Sequence, residues 1–113
     1  MKDQLDTLLL KAKQNTLAFS EVLELIEKYY QHTPTAFKNG DVYNEASQNQ
    51  GSARVFGFAQ LNQLSAENTL LLFAEHYRAV LADPEGNAHQ NIRQFMAHGW
   101  NGIAFEGEPL AEK

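Results

Sequence analysis

An all-α, compact single-domain bundle of four to five helices, carrying one long ordered loop and a docked C-terminal segment, is the expected fold. Three features lead there. Apolar residues recur at helical spacing over 20–31 (Val22, Leu25, Ile26, Tyr29, Tyr30) and over 66–82 (Leu70, Phe73, Tyr77, Val80, Leu81). Between them, residues 29–57 are polar and rich in Asn, Gln and Gly, yet they include Phe37, Val42, Tyr43, Val55 and Phe56. A connection this long is functional or disordered, and residues that can be buried argue for order. Asn39-Gly40 is a turn signal, but its flanks alternate poorly, so an irregular loop is expected there in preference to a hairpin.

Each element follows from local chemistry. Residues 3–13 place Leu5, Leu8, Leu9 and Ala12 on one helical face. Ser20 is the expected N-cap of the next helix, with Phe19 as its hydrophobic staple, and Thr33-Pro34 ends it. The apolar run 54–64 fits a buried helix or a buried strand. Helix is preferred because the chain continues helical after a new cap at Ser65. Residues 66–82 read as one helix. Asp83-Pro84-Glu85-Gly86 then reads as a type I turn, with proline presetting the second dihedral pair. Asn87 caps a last helix from about His89 to His98, with Ile92, Phe95 and Met96 inward and Gly99 as its stop. Residues 100–105 dock as an extended segment, and 106–113 read as a frayed acidic tail. The single domain thus spans 1–113, with its core within about 3–105.

The chain has 113 residues, a net charge of -5 and no cysteine. No disulfide, thiolate metal site or cysteine nucleophile is available. The acidic balance, with Lys and Arg scattered, argues against nucleic acid as a partner. No apolar run is long enough for a membrane span, and the first residues lack a signal-peptide pattern.

Four histidines raise a metal reading, which geometry disfavours. His89 and His98 lie nine residues apart and so face opposite sides of a helix, about 180° apart at about 100° per residue. No histidine pair has three- or four-residue spacing and no HExxH occurs, so no metal and no cofactor is expected. His89 and Arg93 share a face at i,i+4 and, with the first-turn N–H groups, are candidates for binding an anion. Asn39, Asn44 and Asn49 read first as residues that satisfy their own loop. Trp100 reads as an aromatic plug closing the bundle. No serine lies in a nucleophile elbow.

Several strings together carry a resemblance. Thr33-Pro34-Thr35-Ala36-Phe37 with Asn39-Gly40, Asn49 through Gly51-Ser52, Tyr77-Arg78, Pro84-Glu85-Gly86, His89-Gln90-Asn91-Ile92-Arg93 with Phe95-Met96, and Gly99-Trp100 are similar to the HopJ type III effector family. The resemblance runs from about Phe19 to Phe105 and implies a small, mainly helical bacterial domain with no assigned catalytic residues. Two positions depart from the family pattern: His32 stands where an aromatic is expected, and Ala53 where a cysteine is expected.

The expected function is a protein-interaction or ligand-binding module, not a freestanding enzyme. Its surface would join the 32–52 loop to the start of the last helix through Asn39, Asn49, Arg54, His89, Asn91 and Arg93. The partner would be a protein or a small anionic ligand. The rival readings are a small enzyme or anion binder using His89 and Arg93 with loop residues, and a bacterial housekeeping domain unrelated to secretion. Residues 3–13 read as a folded amphipathic helix, not a flexible export signal. The expected location is therefore the bacterial cytoplasm, with type III secretion into a host cell as the alternative.

Overall fold

The computed structural model describes residues 1–113. Helix α1 (Lys2–Lys13) buries Leu5, Leu8 and Ala12, and α2 (Phe19–Tyr29) buries Val22, Leu25 and Ile26. The expected cap at Ser20 gives way to Ala18. Glu21 accepts the Ala18 N–H at 2.9 Å, which starts the helix two residues earlier, and also pairs with Lys11. Phe19 is then the first helical residue and stacks on Phe73, with ring centroids 5.9 Å apart.

The fold is mixed α/β, which corrects the all-α expectation. Five three-residue strands form two small antiparallel sheets. In one, β1 (Tyr30–His32) pairs with β5 (Leu110–Glu112). In the other, β2 (Phe37–Asn39) lies between β3 (Val42–Asn44) and β4 (Ile103–Phe105). Strands of three residues are too short to display alternation. Four of the five (β1 with β5, β2 with β4) also pair across most of the chain, so no local window contains those partners. The hairpin at Asn39-Gly40 is formed, with Asn39 opposite Val42. Gly40 takes φ +58, and a side chain there would run into Gln94 and His98. The supposed tail is ordered too: Leu110 is buried, and the Thr33 N–H donates to Pro109 O at 2.9 Å.

Helix α3 (Gln50–Leu61) runs through the core, with Ala53 and Val55 through Ala59 all buried. Burial on nearly every side explains why its apolar run showed no amphipathic stripe. Ala53 has no exposed surface, so position 53 is a core position and not a reactive one. Phe56 is the aromatic hub, within 4.9 Å of Phe95, 5.3 Å of Phe73 and 6.0 Å of Phe37, centroid to centroid. Ser65 caps α4 (Ala66–Leu71) by accepting the Asn68 N–H at 3.1 Å.

The helix expected over 66–82 is broken. Ala74 takes φ +55, separating α4 from α5 (Glu75–Ala82) and letting the consecutive Leu72, Phe73 and Ala74 all face the core. As a result Leu81 is exposed. Gly86 N–H donates to Asp83 O at 3.1 Å and closes the expected turn. The last helix, α6 (Gln90–His98), begins at a His89 N-cap in the left-handed region, not at Asn87. It buries Ile92 and Phe95, whereas Met96 is exposed. Gly99 follows at φ +60, then a 3-10 turn over Gly99–Gly102 leads into β4. Trp100 packs edge-on against Phe95 at 5.0 Å and donates its indole N–H to Leu64 O at 3.0 Å.

His32 latches the β1–β5 sheet: its Nδ1 lies 3.1 Å from Pro109 O, while Nε2 is buried without a partner. Burial, opposed by the Pro109 hydrogen bond and reinforced by the Arg54 charge, lowers the imidazole pKa below its ordinary 6.5. The folded state therefore binds fewer protons at this site than the unfolded chain. The stability from His32 is complete above about pH 6.5 and is lost as pH falls below it towards the lowered folded value. Urea unfolding between neutral and mildly acidic pH should show this loss in the native protein. His32→Phe should remove that component; an unchanged slope would count against the latch.

Candidate functional site

Two helices start at one cleft. The amino ends of α3 (Asn49, Gly51, Ser52) and α6 (His89 through Ile92) line a cavity of about 360 Å³, together with Phe19, Val42, Phe73 and His76. Both N-cap residues, Asn49 and His89, adopt the left-handed region, at φ 52 and φ 59. Neither caps its helix with its side chain. First-turn N–H groups of both helices are thus free of protein side-chain acceptors, and both positive dipole ends meet one space.

The juxtaposition is made by four asparagines. Asn44 and Asn91 form a reciprocal amide pair: Asn44 Nδ2 donates to Asn91 Oδ1 at 3.1 Å, and Asn91 Nδ2 donates to Asn44 Oδ1 at 2.9 Å. Each oxygen takes a second donor, from Asn39 Nδ2 at 3.0 Å and from Asn49 Nδ2 at 2.7 Å. Asn39 Nδ2 also reaches Asn91 O at 2.8 Å. Asn39 and Asn44 have no exposed surface, so these bonds are made away from water. At the hairpin tip, the Asp41 N–H donates to Gln94 Oε1 at 3.0 Å. Loop and last helix therefore lie side by side.

His76 and His89 are the two imidazoles of the cleft. Their ring centroids are 4.9 Å apart, and His76 packs edge-on to Phe19 at 4.9 Å. Nearby, the Glu75 carboxylate accepts the Phe19 N–H at 2.6 Å. Burial pushes that carboxyl up, but backbone donors and the His76 and Arg78 charges outweigh burial and hold it below its usual value. The chain has 14 acidic residues, yet none lines the cleft. Partial positive charge is thus concentrated in an otherwise acidic molecule.

The six expected site residues separate. Asn49, His89 and Asn91 line the cleft, and Asn39 braces it from behind. Arg93 does not reach it. Its Nε donates to Ala88 O at 2.6 Å and its Nη1 to Pro84 O at 3.2 Å, tying down the turn before α6. The expected His89–Arg93 face is absent because His89 stands outside the helix in the left-handed region. Arg54 lies elsewhere, beside His32 and Pro34. Asn44, the centre of the amide network, was outside the expected set. The five-residue spacing of Asn39, Asn44 and Asn49 was its signal, together with Asn91 on the last helix. No group of three or more metal-ligating side chains is present.

A family description, HopJ type III effector protein, matches residues 4–110. The chain belongs to the HopJ family. A crystal structure of a protein of unknown function, VPA0580, superposes with a TM-score of 0.93 at 43% identity, covering 100% of this chain and 93% of that one. No curated protein matches the chain. Family and fold are thus shared, and neither description names a ligand. No helix of this HopJ protein is long and apolar enough to cross a membrane.

The amide network predicts strong coupling. Asn91→Ala takes Oδ1 from the Asn39 and Asn44 donors, which keep only Asn91 O and a long contact to Phe37 O, and should cost about 1–3 kcal/mol in urea unfolding. Adding Asn44→Ala should cost less than the sum of the single changes, by about 1–2 kcal/mol. Simple additivity would show that the pair does not act as a unit.

Proposed function

We propose that this HopJ protein is a ligand-binding module whose α3/α6 cleft takes a small anion, a phosphate or carboxylate group. One observation supports the reading most directly: two helix amino ends with uncapped N–H groups and two histidines line a single cleft that contains no carboxylate. Backbone donors at a helix start suit tetrahedral or planar oxyanions, and imidazole N–H groups add directional donors. The apolar wall of Phe19, Val42, Phe73 and Ile92 would carry the body of such a ligand. Ser52 shares the cleft with His76 and His89, but no hydrogen bond joins its hydroxyl to either ring, which favours binding over nucleophilic catalysis.

A protein partner is the second reading, favoured by one observation. Leu81 and Met96, both exposed, line a shallow groove with Val80, Pro84 and Ala97.

Inorganic phosphate is the direct probe. Titration followed by amide NMR should move the signals of Gly51, Ser52, Gln90 and Asn91 saturably. His76→Ala combined with His89→Ala should weaken binding by about tenfold. Unmoved amides at millimolar phosphate, or full affinity in the double variant, would refute the reading.

The proposed location is the bacterial cytoplasm. Support comes from residues 2–13, which form a helix that buries Leu5, Leu8 and Ala12 in the core and so serve folding. A translocation reporter fused to residues 1–30 should stay in the bacterium; delivery into host cells at effector-like levels would show export instead.

A further inference from the structure

A second cavity, of about 780 Å³, lies between α2, β1 and α3 and shares no lining residue with the cleft. Its charged residues are Arg54, Lys113 and Glu27, and Leu23, Ile26 and Tyr30 supply apolar wall. Arg54 stands out among the arginines. Arg78 donates to Leu17 O and Arg93 to Ala88 O and Pro84 O, whereas Arg54, half-buried, has no hydrogen-bond acceptor and no ion-pair partner in the protein. A planar guanidinium with all its donors unused, facing a cavity in an acidic protein, matches the two oxygens of a carboxylate.

The charges also set the ligand's valence. Arg54 offers one guanidinium fork for one carboxylate, and Glu27 in the same lining would repel a second negative charge. The apolar wall requires a hydrocarbon body. We propose that this cavity is a second binding site, for a small monocarboxylate with an aromatic or aliphatic body held by Arg54 and packed on Leu23, Ile26 and Tyr30. The site is independent of the phosphate cleft, and the two stand or fall separately.

Benzoate tests it, with benzyl alcohol as the neutral analogue and phenyl phosphate as the dianion. Titrated into the full chain, benzoate should shift the Arg54 side-chain signal and the backbone signals of Tyr30 and Gln31 saturably, and should bind more tightly than either analogue. Arg54→Gln, which removes no hydrogen bond or ion pair within the protein, should melt close to the native protein and weaken benzoate by about tenfold or more. The His76→Ala, His89→Ala double variant should bind benzoate unchanged. Absence of saturable shifts, equal binding of the alcohol, or full affinity in Arg54→Gln would overturn the assignment.

Discussion

The amide pair between Asn44 and Asn91 is the constraint on which the arrangement of the cleft depends. It joins a strand of the hairpin to the first turn of α6, and the Asn49 donor extends it to the start of α3. Three separate elements are thereby held in one register by groups that would each be costly to leave unpaired. Apolar packing alone does not impose this, because a Phe or Leu contact tolerates sliding whereas a reciprocal amide pair fixes both distance and angle. Asn44 and Asn91 thus position the cleft, whereas Asn49 and Asn91 also line it.

The network rests on an aromatic foundation. Phe56, at the middle of α3, touches ring partners from the hairpin, α6 and the turn before α5. The middle of α3 is buried on nearly every side, and its half-buried amino end lies beside the amino end of α6 at the cleft. The two helix starts converge because the same central helix organises both the core and the loop. The left-handed N-caps at Asn49 and His89 follow from the sharp entry of the chain into each helix.

Arg54 and Arg93 show how one residue type acquires different roles from placement. Both were expected at one surface. Arg93 is spent on the carbonyls of its own preceding turn, which stiffens the approach to His89 and α6. Arg54, one turn into the central helix, emerges on another side of the molecule with its donors unused.

Much of the helical part was legible in the residues themselves. The stripes of α1 and α2, the Ser65 cap, the Asp83–Gly86 turn and the stop at Gly99 all rest on contacts within a few positions, and local chemistry suffices for them. The family followed from short strings such as Thr33–Phe37 and His89–Arg93. Tertiary structure alone decided the rest. Tyr30 pairs with Glu112 and Phe37 with Phe105, so neither strand has a partner that a sequence window can contain. Ala74 takes a positive φ that its side chain does not favour, because breaking the helix lets three consecutive apolar residues reach the core. The meeting of His76 with His89 is of the same kind: nothing in the spacing of those residues encodes it, and it exists because α5 and α6 are packed against a shared centre.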